Sequence, residues 1–300
     1  MPNWSRLATE QTNPSSRRID ELSTLEMLQL INTEDALVAP AIREALPAIA
    51  RAVDMAHQSL DQGGRLFYMG AGTSGRLGIL DASECPPTFS SDPKLVQGLI
   101  AGGTEAVFQA VEGAEDKIDD GANILREREL SPPDMVVGIA ASGVTPFVLG
   151  GLQYARSLNC STAFITCSQP ASPPGEGTVI IAPQVGPEIL TGSTRLKAGT
   201  ATKMVLNMIS TGAMIKWGKT YGHFMVDLQP KNAKLRDRSQ RILAAIADIS
   251  EAEAEKTLDQ ASGHLKVALV MVLCQIDQAE ANKRLEKHRG LVKKAIGAID

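Results

Sequence analysis

The chain has 300 residues, 43% hydrophobic and 21% charged, which is typical of a globular protein with room for one large domain and a small appendage. Its net charge of −4 and its 4% aromatic content argue against a nucleic-acid-binding surface. No apolar run approaches the roughly 18 residues of a membrane span. The first residues also lack the basic and then apolar order of a secretory signal, so we expect a cytoplasmic protein.

The cysteines and histidines do not form a recognisable site. The cysteines have no CxxC spacing, which favours free thiols in a reducing compartment, and the histidines are widely scattered. We therefore expect no metal site and no cofactor.

The first predicted elements are helical. Residues 1–20 are polar and predict an extended arm, and the apolar spacing over residues 19–31 predicts a helix. Residues 39–60 carry apolar side chains at steps of three and four, as a long amphipathic helix does, and Gly63-Gly64 would end it.

A glycine-rich motif follows these helices. Residues 66–69 have the length and apolarity of a buried parallel strand. Residues 70–75 then lead into a helical pattern, an arrangement that offers backbone N–H groups and a partial positive charge to an anion. We expect Pro86 and Pro87 to stop this helix.

Strands and helices alternate after this motif. Further strands are predicted at 95–100, 134–141, 162–167 and 179–182, with helices between them and a long helix ending near Trp217. Later helices are predicted at 231–249, 251–260, 264–274 and 277–296. This order predicts an α/β fold with a doubly wound, mainly parallel, flavodoxin-like sheet. We divide the chain into an N-terminal arm and helix (1–38), a phosphate-binding and catalytic domain (39–222) and a helical C-terminal region (223–300).

Three loops combine glycine with hydroxyl side chains just before a helix. In an open α/β sheet, ligands bind beyond the carboxyl ends of the strands, so three such loops would converge on one phosphate. A single loop of this kind is as often only a tight turn. The candidate phosphate-binding residues are Gly72, Thr73, Ser74, Gly75, Ser142, Gly143, Thr145, Ser193 and Thr194.

Two common nucleotide-binding motifs are excluded. Residues 70–75 fit GxGxxG, but no acidic residue follows the next strand, where a dinucleotide site would need one for the ribose. A Walker motif is absent because no Gly-Lys-Ser/Thr stands at the required spacing.

Longer motifs resemble a known family. The three loops are similar to those of sugar isomerase (SIS) domains, which bind phosphosugars. Residues 70–89 resemble the signature of bacterial N-acetylmuramic acid 6-phosphate etherases more specifically. The resemblance covers nearly the whole chain and continues in residues 102–106, 110–116, 140–147, 192–203 and 225–235.

The resemblance implies a reaction and two catalytic residues. Etherases of this family cleave the D-lactyl ether at carbon 3 of the sugar, by elimination and then water addition, and require carboxyl groups but no metal or redox cofactor. The resemblance implies Glu84 as the general acid/base that protonates the leaving lactate and Glu115 as the second acid/base. From the residues alone, either could be an ordinary surface carboxylate.

Other polar residues have weaker indications. Arg76, Arg195, Lys197 and Lys203 are candidate charge partners for the substrate, and salt bridges are an equal alternative for each of them. His223 is more simply a structural histidine than a site residue, and we interpret Cys85 as packing.

Three other functions compete with an etherase. A non-catalytic phosphosugar sensor resembling glucokinase regulatory proteins would need about twice this length for its second sugar-binding domain. A sugar-responsive transcription factor would need a basic helix-turn-helix. A phosphosugar isomerase shares the ring-opening and carbon 2 deprotonation steps. By analogy with SIS proteins we expect a homodimer with sites near the interface, a phosphosugar substrate, and neither a nucleic acid nor a membrane as partner.

Overall fold

The computed structural model describes residues 7–168, 174–227 and 233–297. The chain forms two compact units, of which unit 1 comprises Met1–Ser83 and Pro93–Gly212 and unit 2 comprises Glu84–Asp92 and Ala213–Asp300. The proposed division at residues 38/39 and 222/223 stays a prediction. Within the described residues no helix is both long enough and apolar enough to cross a bilayer.

Unit 1 begins with short turns and two helices. Single 3₁₀ turns at Ala8–Glu10, Pro14–Ser16 and Ile19–Glu21 precede α1 (Thr24–Asp35) and α2 (Val38–Asp61). The predicted start of the first helix at residue 19 was wrong, because Ser23 and Glu26 form a capping box that starts α1 at Thr24. Residues 1–6 of the predicted arm lie outside the described residues.

A five-stranded parallel sheet forms the centre of unit 1. Its strands are β1 (Leu66–Gly70), β2 (Val96–Ile100), β3 (Met135–Ile139), β4 (Ser161–Ile165) and β5 (Val179–Ile181). Their spatial order is β2-β1-β3-β4-β5, with every pair parallel. The strand order reverses between β1 and β3, so the ligand crevice of this topology opens at their carboxyl ends.

Helices cover both faces of the sheet. The connecting helices are α3 (Gly72–Phe89), α4 (Glu105–Phe108), α5 (Ile118–Glu127), α6 (Pro146–Ser157) and α7 (Lys197–Lys216). On one face, Phe67, Met69 and Phe164 are fully buried in a core that includes residues of α5 and α6. On the other face, α2 packs against β1, β3, β4 and β5. This arrangement confirms the predicted doubly wound α/β fold.

An ion pair joins the amino ends of two central strands. Asp134, just before β3, accepts hydrogen bonds from the backbone N–H of Arg65 (2.8 Å) and from its guanidinium (2.7 Å). The side chain of Asp134 is 1% exposed. Burial alone would raise the pKa of Asp134, but the hydrogen bonds from Arg65 and from the Ser131 N–H outweigh it and hold the pKa below its usual range.

Helix α3 continues through both prolines, which contradicts the predicted stop. It ends at Phe89, and Ser90, with a φ of 50°, donates its N–H to the Pro86 carbonyl at 2.9 Å. Pro86 and Pro87 lie in the last turn of α3. A proline has no N–H to donate to the carbonyl four residues earlier, and this loss matters least at the end of a helix, where few residues follow. The prolines therefore weaken the end of α3 without breaking it.

Unit 2 is mainly helical. A hairpin of β6 (Thr220–Tyr221) and β7 (Phe224–Met225), too short to be seen in the sequence, precedes α8 (Ala233–Ala247). The remaining helices are α9 (Glu251–Gln260), α10 (Leu265–Cys274), α11 (Gln278–Lys287) and α12 (Val292–Ala295). The predicted helix at 277–296 is thus two helices, because Gly290 adopts a φ of 77° between them. Residues 231 and 232 of the predicted helix 231–249 lie outside the described residues.

Candidate active site

The first hydroxyl loop is the first turn of α3. Gly70 ends β1, and Gly72, with a φ of 51°, begins the helix. The strand and helix approach so closely that a Cβ on Gly75 would lie 2.7 Å from the Gly70 carbonyl oxygen and 2.5 Å from the Ile100 side chain. Glycine is therefore required where the chain turns, and Thr73 and Ser74 are presented at the start of a helix.

The second hydroxyl loop follows β3. Gly143 has a φ of 83° and donates its N–H to the Ala140 carbonyl at 2.9 Å, which places Ser142 in a tight turn. Thr145 is the N-cap residue of α6, as predicted, but its side chain does not cap the helix. It adopts an extended conformation because Pro146 follows it.

The third hydroxyl loop precedes α7. Gly192 has a φ of 80°, and the Ser193 and Thr194 N–H groups donate to the Leu190 and Gly192 carbonyls, at 2.9 and 3.1 Å. Both side chains are half-buried. The loop is therefore a compact turn whose hydroxyls stand just ahead of a long helix.

Contacts between neighbouring segments bring the three loops together. A Cβ placed on Gly199, in the first turn of α7, would lie 3.6 Å from Thr73 Cγ2, which joins the first and third loops. Cys167 donates its N–H to the Ala141 carbonyl (3.0 Å), and its Sγ lies 3.9 Å from the Ala198 carbonyl. Cys167 thereby links the second loop to the start of α7.

Glu115 lines a small cavity beside the first loop. It lies on a 3₁₀ turn, Ala114–Asp116, that Gly113 introduces with a φ of 71°. The cavity has a volume of about 170 Å³, and Gly72 and Arg76 of α3 also line it. A carboxylate far from the glycine motif in sequence is therefore next to it in unit 1.

Glu84 lies on the exposed surface of α3 and belongs to unit 2, whereas Glu115 and the three loops belong to unit 1. The next residue, Cys85, is 3% exposed, in keeping with its interpretation as packing. His223 is exposed in the turn between β6 and β7, with its ring centroid 4.0 Å from that of Phe224.

Comparison with known proteins identifies the family. The chain is 51% identical over 298 residues to an N-acetylmuramic acid 6-phosphate etherase of Photorhabdus laumondii, covering 99% of both chains. The chain belongs to the N-acetylmuramic acid 6-phosphate etherase family. An etherase of Yersinia pestis (strain Pestoides F) is 55% identical over 267 residues, covering 89% of this chain and 90% of that protein.

Two further similarities of this etherase-family chain are more distant. The sequence profile of the glucokinase regulatory protein N-terminal SIS domain matches residues 48–156. A solved phosphoheptose isomerase from Neisseria gonorrhoeae superposes with a TM-score of 0.46 at 15% identity, covering 62% of this chain and 98% of that one.

The structure gives two of the candidate charge partners other contacts. Lys197, which the sequence left open between substrate and salt bridge, is 2% exposed, and its Nζ lies 2.6 Å from Glu34 Oε2. Arg76 donates from Nε to the Val107 carbonyl at 2.8 Å, which ties α3 to the end of α4. Arg195 and Lys203 are exposed.

Glu188 is a buried carboxylate that the sequence did not reveal. It is 1% exposed, and its oxygens accept the backbone N–H groups of Lys197 (3.0 Å) and Ala198 (2.9 Å). Burial raises the pKa of Glu188, although the two N–H bonds oppose this. Burial, with a contribution from the charge of Glu188, also raises the pKa of the Cys167 thiol to about 12, so this thiol is unreactive at neutral pH.

A second buried carboxylate, Asp81, holds α3 against α7. It is 6% exposed and accepts hydrogen bonds from Asn207 Nδ2 (2.7 Å) and Ser210 Oγ (3.1 Å). Burial raises its pKa, against the lowering effect of these bonds and of one from Tyr68. Asp81 therefore fixes α3, whose first turn is the first loop, against α7, which follows the third loop.

Within the described residues, no three or more His, Cys, Asp and Glu side chains lie together so that they could hold a metal ion.

Proposed function

We propose that the chain is a cytoplasmic N-acetylmuramic acid 6-phosphate etherase that acts in cell-wall amino-sugar recycling. The reaction cleaves the D-lactyl ether and yields N-acetylglucosamine 6-phosphate and D-lactate. The observation that carries the proposal is the convergence of three hydroxyl loops beside the Glu115 cavity, in a chain 51% identical to an etherase over 99% of its length.

The chemistry depends on one acidic C–H bond. Opening of the sugar ring gives an aldehyde at carbon 1, which acidifies the proton at carbon 2. A base removes that proton, the carbon 3–oxygen bond breaks with proton donation to the leaving lactate, and an unsaturated aldehyde forms. Water then adds at carbon 3 and a proton returns to carbon 2, so acid and base are both regenerated.

Two carboxylates perform these proton transfers in our proposal. Glu84 protonates the leaving lactate and is the general acid/base, and Glu115 is the second acid/base. Both side chains are exposed, so a substrate and water can reach them. The cavity shared by Glu115 and Gly72 supports a sugar bound with its phosphate at the first loop and its ring near Glu115.

The phosphate is held by glycine backbone and hydroxyl groups. Helix starts bind anions because their first N–H groups have no partner within the helix, and hydroxyl donors add to them. The proposed binding residues are Gly72, Thr73, Ser74, Gly75, Ser142, Gly143, Thr145, Ser193 and Thr194. The contacts that join Thr73 to Gly199 and Ala141 to Cys167 support their action on one ligand.

One assay tests this function against its competitors. The protein is incubated with N-acetylmuramic acid 6-phosphate, and free D-lactate is measured with a coupled dehydrogenase. An etherase releases one lactate per sugar, whereas a phosphosugar sensor or an isomerase releases none. Absence of lactate at high protein concentration rejects the proposal.

We also propose a homodimer with its sites near the interface. To test this, Glu84→Ala and Glu115→Ala proteins are purified separately, mixed, and left to exchange subunits before lactate release is measured. If each site takes its two carboxylates from different subunits, half of the dimers regain one intact site, and activity returns to about a quarter of wild type. A mixture as inactive as its components shows that both carboxylates come from one subunit.

A further inference from the structure

The start of α7 is already occupied by a carboxylate of the same chain. The two oxygens of Glu188 accept the N–H groups of Lys197 and Ala198, at 3.0 and 2.9 Å. These are the N–H groups that a helix start would otherwise offer to an anion, and they carry the positive end of the helix dipole. Since Glu188 is 1% exposed, no solvent ion replaces it in the folded chain.

Lys197 is held at both its backbone and its side chain. Its N–H bonds to Glu188, and its Nζ lies 2.6 Å from Glu34 Oε2 at the end of α1. The two side chains of this ion pair are 2% and 11% exposed. The first residue of α7 is therefore held in place at two points. Ser193 and Thr194 precede it by four and three residues, so the end of their loop is anchored there.

The start of α3 has the opposite character. Its first turn contains two glycines and two hydroxyl residues, and no acidic residue. The two helix starts are neighbours, as the 3.6 Å approach of a Gly199 Cβ to Thr73 Cγ2 indicates. A phosphate between them therefore meets a free helix dipole at α3 and a neutralised one at α7.

We propose that Glu188 is a positioning residue that serves as an internal anion. It fills the N-terminus of α7 and excludes phosphate from that helix start. It also fixes Ser193 and Thr194 so that their hydroxyls donate hydrogen bonds to a phosphate bound at α3. The proposal rests on the proposed function and goes beyond it by assigning the phosphate charge to one of the two helix starts.

The test combines phosphate binding with kinetics. Calorimetry with inorganic phosphate gives one ion per wild-type chain and two per Glu188→Ala chain, because the freed N–H groups of α7 bind a second ion. In Glu188→Gln, where a neutral amide cannot accept from both N–H groups, KM for the sugar phosphate rises about tenfold while kcat changes less than threefold.

Glu34→Gln is the matched control, because it removes another largely buried carboxylate that contacts Lys197 but leaves Glu188 on α7. It binds one phosphate, whatever it costs in stability. A single phosphate in Glu188→Ala, or an unchanged KM in Glu188→Gln, overturns the proposal. If Glu188→Ala does not fold, KM of Glu188→Gln decides. If the wild type releases no lactate, the proposed function fails, and the phosphate count still decides the role of Glu188.

Discussion

Gly199 in α7 faces Thr73 in α3, and a Cβ on Gly199 would reach within 3.6 Å of the Thr73 methyl group. This distance is an ordinary van der Waals contact, so an alanine fits here but a larger side chain enters the space between the two loops. Because the two residues lie at the proposed phosphate site, substitutions of Gly199 can separate effects on stability from effects on substrate binding.

Small and large side chains at Gly199 should therefore have different effects. Gly199→Ala should keep KM and gain up to about 1 kcal/mol of stability, since alanine favours a helix more than glycine does. Gly199→Leu should raise KM about tenfold or more, because its side chain displaces Thr73 from the ligand. Steady-state lactate release and urea unfolding measure the two effects. Equal KM values for both variants would show that this space does not border the ligand.

Loss of Glu115 should strongly lower turnover without unfolding the protein. The residue is exposed, so Glu115→Ala should alter the unfolding free energy by less than about 0.5 kcal/mol. Removing a general acid/base should lower kcat by about 10² to 10⁴. Asp116→Ala, an exposed neighbour on the same turn, is the control and should keep kcat. Similar losses in both variants would indicate a loop effect rather than a catalytic one.

Glu84→Ala should fold normally and lose the elimination step. Because Glu84 is assigned the proton donated to the leaving lactate, a substrate analogue with a better leaving group at carbon 3 should partly restore activity. The rates of wild type and Glu84→Ala with the lactyl ether and with this analogue measure the effect. A wild-type rate in Glu84→Ala would disprove the assignment.

The Arg65–Asp134 pair predicts an acid-dependent loss of stability. The folded-state pKa of Asp134 is lowered, so the carboxylate contributes stability above its unfolded pKa, and this is lost as the pH falls through the lowered value. Asp134→Ala leaves the Arg65 guanidinium without its carboxylate, with only the Arg128 and Glu129 carbonyls as acceptors, and should cost about 3 kcal/mol near neutrality. The unfolding free energies of the wild type and of Asp134→Asn, measured in urea from pH 7 to pH 3, should converge at low pH.

Asp81 should make stability depend on pH in the opposite direction. Its folded-state pKa is raised, so the folded protein binds a proton more tightly than the unfolded chain does. Stability of the wild type relative to Asp81→Asn should therefore fall as the pH rises from the unfolded pKa through the raised folded value, and then stay level. Thermal unfolding of both proteins across that interval measures the difference. A wild type that gains stability relative to Asp81→Asn over the same interval would contradict the burial argument.

The sequence could predict the elements whose signals are local. Apolar runs such as residues 66–69 predicted the strands, and periodic spacing predicted α2. It failed where a helix end depends on particular contacts. α3 passed through Pro86 and Pro87, against the predicted stop. The sequence pattern also left the exact start of α7 open; it is Lys197, where Glu188 caps the helix from nine residues earlier in the chain.

The sequence by itself determined the fold class, the family and the candidate residues, because periodicity, glycine placement and long motifs are properties of neighbouring residues. The tertiary structure decided which of them meet. Glu115 reaches the Gly72 cavity through the pairing of β1 with β2, and Lys197 turns from a candidate ligand into the buried partner of Glu34. Such contacts join residues far apart in the chain, and their energies depend on burial, which exists only once the chain has folded.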